Sequence, residues 1–441
     1  MILLGDIVCF EAGSSEDIPW TGPRMSLGGD IDSLELLSEQ RLIDLKVNQD
    51  IVEIRGKDRV GLVILPSGRR LIIRTKIPSL AILEWLVYLK ELPDLKTWLQ
   101  ESGVGVGDDF HICIGKLFLH ELEIVTQFHL RKDYMAATTE GTFVRGRVLL
   151  TRLAYRVHRL PRLPLANRRR TLDTPYNSVL ALALDRLRLF FSRFSVEERS
   201  KLARLRDHWA SIRRDLTDPV TAVTEAQWAC PPGYRNAVQI ARLILLGLSL
   251  EPTSSSGGQA FTMSLARVWE LSLRKMFTDI KGQTGWTPVF DVERTRQWDD
   301  SYAKDDSSRW LTTDVMLEQQ SERWVLDAKY KRAFGVESRT DRFQMCAYAI
   351  AFNAGRATLV YPTASNDDHE VRTLLRTSVG DKTILIDSIV LPMSSGPRAC
   401  MNSLVQVCKN SDGASVAGKN SGDAKIIPVA SHGTINGVAA G

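Results

Sequence analysis

In RWLTTDVMLEQQSERWVLDAKYKR, residues 309–332, two apolar runs flank the polar turn EQQSER. The second run places Trp324, Leu326, Ala328 and Tyr330 at every other position. That is the period of a β-strand, so these four share one face and Asp327 and Lys329 project side by side from the other. In the first run Asp314 is flanked by Leu311, Val315 and Leu317. Pairing the runs as an antiparallel hairpin through EQQSER brings Asp314 towards Asp327. Two carboxylates so placed repel unless a cation lies between them, and a neighbouring ammonium can orient water and offset charge at a phosphorane. A lone Asp-x-Lys triplet occurs by chance in many strands. The expectation therefore rests on the pair of strands, not on the triplet.

The flanking sequence extends this pattern. TMSLARVWELSLRKMFTDI (262–280) has helical spacing, with Glu270 near its middle as a candidate third carboxylate. From spacing alone Glu270 reads nearly as well as an ordinary exposed helix residue. WTPVFDVER (286–294) reads as a strand. RTDRFQMCAYAIAFNAG (339–355) is helical, with Gln344 and Tyr348 four residues apart on one face, either contacting DNA or bracing the strands. The plainer alternative is an amphipathic helix that packs through Phe343, Ala347 and Ile350. ATLVYP (357–362) is then a short buried strand. A helix, three strands, a helix and a strand make a mixed sheet flanked by helices.

Nearer the N-terminus, residues 40–77 alternate apolar and polar in short runs, with Pro66-Ser67-Gly68 as a turn, so a β-meander or small barrel is expected. SLAILEWLVYLKEL (79–92) follows as a helix with Ser79 as its N-cap. Residues 174–250 are dominated by helical periodicity, and SVEE (195–198) is a capping-box sequence. Between these regions, residues 144–170 hold nine arginines and no acid. Arg145, Arg147, Arg168, Arg169 and Arg170 are candidates for contact with DNA phosphates or a partner protein, and a solvated arginine surface is an equal alternative. EPTSSSGGQA (251–260) reads as a linker. Residues 409–441, rich in Gly, Ser, Ala and Asn, cannot bury a core. The expected organisation is α+β and multidomain. It comprises a β-rich N-terminal domain (1–150), a helical middle region (151–255), a C-terminal α/β domain (256–395) and a flexible tail (396–441).

Composition narrows the classes of function. With 441 residues, 44% hydrophobic and 25% charged, the chain reads as a globular protein of several domains. A net charge of only +5 means that DNA contact must come from local clusters. The six cysteines form no CxxC pair and read as reduced thiols of a cytoplasmic protein. His111, Cys113, His120 and His129 lack metal-ligand spacing and read as ordinary positions. No apolar run is long enough for a membrane span, and the N-terminus lacks the basic region of a signal peptide. GVGVG (103–107) is followed by no Gly-Lys-Ser/Thr, so it reads as a turn, and no nucleotide is expected on this chain itself.

The ordered set Glu270, Asp314, Asp327-Ala328-Lys329 and Gln344 resembles the PD-(D/E)xK nuclease superfamily. Within it, the closer resemblance is to the McrC family, the nuclease subunits of McrBC-type modification-dependent restriction systems. Thr313-Asp314 stands where the superfamily often has Pro-Asp. FQMCAYA places Gln344 and Tyr348 on its Q-x-x-x-Y helix, and Glu270 in VWELSL sits where the helix carboxylate falls. GLVILPSGRRLIIRTKIP, VRGRVLL and DTPYNSVLALAL resemble further segments of the family, so the likeness covers most of residues 50–362. The resemblance implies a restriction-endonuclease-like C-terminal domain that hydrolyses DNA with Mg2+, or alternatively Mn2+, held by Asp314, Asp327 and Glu270. Lys329 and Gln344 would complete the catalytic set. It further implies double-stranded DNA as substrate and an N-terminal region docked on a McrB-like AAA+ GTPase hexamer whose hydrolysis it stimulates. A non-cleaving activator of that GTPase and a stand-alone RecB- or Cas4-like repair nuclease are the alternatives.

Overall fold

The computed structural model describes residues 6–11, 19–94, 109–154, 162–190, 195–213, 218–246, 259–289, 295–297, 310–331, 338–364, 370–379 and 382–417. GVGVG, residues 251–258 of the expected linker, and 418–441 of the expected tail lie outside them. The chain is α+β. It begins with β1 (Ile7–Phe10), β2 (Trp20–Pro23) and α1 (Ile31–Glu39), followed by the expected run of strands: β3 (Ile43–Asn48), β4 (Ile51–Gly56), β5 (Arg59–Ile64) and β6 (Arg70–Arg74). Gly68, at φ +83°, closes the turn before β6 by donating its N–H to the Leu65 carbonyl at 2.8 Å. Helix α2 (Ser79–Tyr88) starts at Ser79, which is not its cap; Pro78 holds the cap position in an extended conformation with no side-chain bond. Burial of Ala81, Ile82, Leu83, Trp85 and Leu86 holds this helix, and it needs no polar cap.

Helix α3 (Phe110–Gln127) carries His111 and Cys113 among its buried residues. Then come β7 (Asp133–Gly141), β8 (Arg147–Val148), α4 (Leu150–Ala154) and β9 (Leu163–Thr171). The three strands form a sheet in the order β7-β9-β8. The middle region is therefore not helical from residue 151. The β-structure runs on to Thr171, because Arg168–Arg170 pair with Ala136, Met135 and Tyr134. Helices α5 (Pro175–Phe190), α6 (Val196–His208), α7 (Pro219–Ala229) and α8 (Arg235–Leu246) follow. In α6 the capping box is complete: Ser195 Oγ accepts from Glu198 N at 3.2 Å, and Glu198 Oε2 accepts from Ser195 N at 2.8 Å.

Strand β10 (Gln259–Ser264) differs from expectation. It pairs antiparallel with β5 and completes a four-stranded sheet, β1-β6-β5-β10. A boundary at residue 255 thus assigns this strand to the wrong unit. Gly61 permits the pairing, since a Cβ there would lie 2.0 Å from the Phe261 carbonyl oxygen. Helix α9 (Leu265–Thr284) and β11 (Thr287–Val289) lead into β12 (Thr295–Gln297), β13 (Trp310–Thr312), β14 (Val315–Gln319) and β15 (Glu322–Ala328). After them come α10 (Arg339–Ala351), β16 (Arg356–Thr363), β17 (Glu370–Val379), β18 (Lys382–Pro392) and α11 (Gly396–Ala417). The sheet order is β11-β14-β15-β16-β18-β17, with β15, β16 and β18 mutually parallel and the remaining pairs antiparallel. Trp324 and Leu326 of β15 pack into the large core with Trp269, Phe277 and Leu404, while Val325 joins Met345, Tyr348 and Ala349 on the opposite side. The central strand is thus covered on both faces.

A flexible tail does not begin at residue 396. Helix α11 starts there and buries Cys400, Leu404, Val407 and Cys408 against the core. The Gly/Ser-rich composition begins only after this apolar stripe. Among the described residues no helix is long and apolar enough to cross a membrane. Replacing Leu404 with Ala should cost about 2–5 kcal/mol of stability through the cavity it leaves. Denaturant unfolding of the full chain measures this, and a change below about 0.5 kcal/mol would mean that α11 is not docked.

Candidate active site

The hairpin β14–β15 places the site. Its register sets Val315 opposite Leu326, and the turn between Gln319 and Glu322 is closed by Gln320 at φ +53°. Asp314 precedes β14 and Asp327 is the penultimate residue of β15, so the carboxylates meet at one end of the hairpin. Asp314 Oδ2 accepts from the Ala328 N–H at 2.8 Å. Asp327 is 5% exposed. Lys329 Nζ lies 2.7 Å from Asp327 Oδ2 and donates to Gln344 Oε1 at 3.0 Å. Gln344 Nε2 in turn donates to Tyr348 Oη at 2.8 Å. Helix α10 therefore braces the lysine through the pair Gln344 and Tyr348. The buried face of α10 includes Met345, Tyr348 and Ala349, whereas Phe343 and Ile350, which the alternative reading packs inside, are exposed. Turning Gln344 and Tyr348 towards the sheet rotates Phe343 out.

Glu270 is placed differently. It projects from α9, where Oε2 accepts from Arg267 Nη1 at 2.8 Å and Oε1 accepts from Arg274 Nη2. Arg274 also donates from Nε to the Asp314 carbonyl at 2.9 Å, with Nη2 3.9 Å from Asp314 Oδ1. Glu270 thus reaches the two aspartates through a guanidinium. Among the described residues no three His, Cys, Asp or Glu side chains are close enough together to hold a metal ion. The fit to a divalent cation rests on Asp314 and Asp327. Asp327 Oδ2 is buried and, among the described residues, meets only the Lys329 ammonium at 2.7 Å, which leaves a lone pair uncommitted. Glu270 could join only by exchanging its arginine partners.

Electrostatics point the same way. Burial, then the charge of Asp327, pushes the Asp314 carboxyl up to about 6 against the pull of the Ala328 N–H. Burial also raises Asp327, outweighing Lys329, with Asp341 and Glu270 adding repulsion. Burial works against the Lys329 ammonium, yet Asp327 beside it, with Asp341 and Tyr348, holds its pKa above the ordinary lysine value. The Asp327 charge repels the Asp314 carboxylate, which is the condition under which a cation shared by the two is favoured. Arg274 and Asp341 are participants not identified from the sequence. Arg274 is four residues from Glu270 on the same helix face, and Asp341 forms a capping box with Ser338 while pairing with Lys331. Both spacings were legible signals.

Arg145, Arg147, Arg168, Arg169 and Arg170 are exposed on or beside the sheet β7-β9-β8, separate from this hydrogen-bonded cluster. Tyr134, Phe143 and Val144 are exposed there too, and no residue of β7 is buried.

A raised pKa means that ionising Asp314 destabilises the fold. The cost is absent below its ordinary value of 3.8 and complete above about 6. Asp314→Asn keeps an acceptor for the Ala328 N–H and removes the charge. In metal-free protein it should therefore stabilise by roughly 1–3 kcal/mol at pH 7–8. Thermal unfolding should show that gain disappearing near pH 4; an equal gain at both pH values would contradict the assignment.

Residues 54–362 match the family described as McrBC 5-methylcytosine restriction system component. A solved Thermococcus gammatolerans assembly of McrB AAA+ hexamers with bound McrC contains a similar chain. It matches at 14% identity and a TM-score of 0.58, over 91% of this chain and 100% of the solved one. At that identity the likeness is one of fold. A second solved structure, the T. gammatolerans McrBC complex, matches at 16% identity over 62% of this chain and 87% of the other, with a TM-score of 0.39. No curated protein matches the chain. The family match spans well over half of the 441 residues, and the chain belongs to the McrBC 5-methylcytosine restriction system component family.

Proposed function

We propose that this chain is the DNA-cutting, McrC-like subunit of a modification-dependent restriction system, acting as a metal-dependent endonuclease. The observation that carries the reading is the Asp314–Asp327–Lys329 cluster, with Asp327 buried, at the end of the central strand. Asp314 and Asp327 would hold Mg2+, or Mn2+ in its place, with Glu270 joining if it releases Arg274. When bound, such an ion polarises the scissile phosphate and lowers the pKa of its water. Lys329, fixed by Asp327 and Gln344, then orients the attacking water and offsets charge that develops in line at phosphorus. Gln344 holds the ammonium in place, and Tyr348 holds Gln344. The exposed arginines 145, 147 and 168–170 supply phosphate or protein contacts away from the chemistry.

The partner in this reading is a McrB-like AAA+ GTPase hexamer, with double-stranded DNA as substrate; the assembly that contains the similar fold is one of McrB AAA+ hexamers with bound McrC. A non-cleaving activator is the second reading, favoured by one observation: Glu270 is engaged by two arginines and completes no triad of carboxylates. Both readings are tested with the full chain and its GTPase. Asp327→Ala and Lys329→Ala should each lower DNA cleavage by at least about a hundredfold while leaving GTPase stimulation intact. Undiminished cleavage in both variants would overturn the nuclease assignment and favour the activator.

A further inference from the structure

Outside the cluster just described, the chain buries another polar group that no part of the proposed chemistry uses. Glu11, one residue beyond β1, is fully buried. One of its oxygens collects three donors: Lys76 N–H at 2.7 Å, Tyr330 Oη at 2.9 Å and Thr75 Oγ1 at 3.1 Å. The other, Oε2, is buried with no hydrogen-bond partner among the described residues. Lys76 Nζ, equally without one, stands 4.5 Å from the centroid of the Tyr330 ring. Tyr330 is therefore held at its hydroxyl by Glu11 and across its ring by Lys76. Glu11 is itself fixed, since its N–H donates to the Arg74 carbonyl at 2.8 Å and it bridges to Gly56.

Such a group is unfavourable for stability alone. A buried carboxylate with an unsatisfied oxygen costs free energy that an apolar residue would not, and burial pushes the Glu11 carboxyl up to about 7. The arrangement does have a directional consequence, because Tyr330 adjoins Lys329. The Lys329 backbone N–H donates to the Val360 carbonyl of β16 at 2.9 Å. On its other side, the next residue is tied to the N-terminal sheet. The lysine that pairs with Asp327 thus sits between two anchors from different parts of the chain.

We infer that Glu11 and Tyr330 form a positioning clamp that sets Lys329 over Asp327 and makes the N-terminal sheet part of the cutting site's framework. This rests on reading Asp327 and Lys329 as the cutting pair. The clamp explains why the polar group is kept: an apolar contact would fill the space but would leave the strand end free to slide. A misplacement of an ångström at a reacting group costs on the order of a hundredfold in rate.

Full-length Tyr330→Phe, assayed with the GTPase partner, tests the clamp. Removing one hydroxyl should lower kcat for DNA cleavage by about ten- to a hundredfold, with KM for DNA, GTPase stimulation and melting temperature near those of the parent. Glu11→Leu should reproduce this loss, whereas Glu11→Gln, which retains an acceptor for the Tyr330 hydroxyl, should restore most of the rate. Asp327→Ala is run beside them. Parental cleavage by Tyr330→Phe alongside an inactive Asp327→Ala would overturn the clamp and leave the site standing. A Tyr330→Phe loss that tracks a lowered melting temperature, or a cleavage rate for Glu11→Gln no better than that of Glu11→Leu, would also overturn it. Normal cutting by Asp327→Ala would remove the site reading and the clamp together.

Discussion

The strand Glu322–Ala328 is covered on both faces by apolar clusters, and it carries a buried carboxylate at residue 327. Ionising such a group away from water is unfavourable unless positive charge or hydrogen-bond donors answer it. The surrounding structure is arranged around that requirement. Lys329 lies two residues on along the same strand face, Gln344 and Tyr348 pin it from α10, and the Ala328 N–H engages the second carboxylate at Asp314. Arg274 reaches in from α9 to the Asp314 backbone while holding Glu270. Asp314 and Asp327 still repel each other, and that repulsion is what a shared divalent cation would relieve.

This arrangement depends on a core that runs through the whole chain. Trp269 of α9 donates to the Val360 carbonyl on β16 at 3.0 Å, and Trp85 of α2 donates to the Met393 carbonyl at 2.9 Å. The two indoles meet edge to face at 6.0 Å. Elements from residues 79 to 393 are thereby locked to one another by buried, directional contacts. The site is consequently supported by helices from both halves of the sequence, so its geometry is no property of an isolated C-terminal segment.

How much of this was legible in the sequence follows from the range of each signal. The hairpin, Asp327 beside Lys329, and Gln344 with Tyr348 were readable because a period of two or an offset of four fixes which side chains are neighbours. Glu270 was placed on the correct helix, but its arginine partners were not foreseen, since charge pairing on a helix is degenerate until the facing strand is known. β10 could not be assigned from its own six residues, because its partner β5 lies about two hundred residues earlier and leaves no local trace. Helix α11 was obscured by composition. Cys400, Leu404 and Cys408 recur every four residues, yet the Gly- and Ser-rich stretch behind them dominated the window. Arg168–Arg170 were recognised as a cluster, while their pairing with Tyr134, Met135 and Ala136 was set by tertiary context.

The late arrival of β10 also bears on how the protein is made. During synthesis β1, β5 and β6 emerge within the first 74 residues, but the outer edge of β5 has no partner until residue 264 has left the ribosome. For that interval a strand with buried Val60, Leu62 and Val63 presents open backbone donors and acceptors, the condition that favours pairing with a foreign chain. Closing the edge joins segments far apart in sequence, a slow step for a folding chain. Fragments that stop short of β10 should therefore be prone to self-association, and the chain's vulnerability to misfolding is concentrated in a window of translation rather than in any one residue.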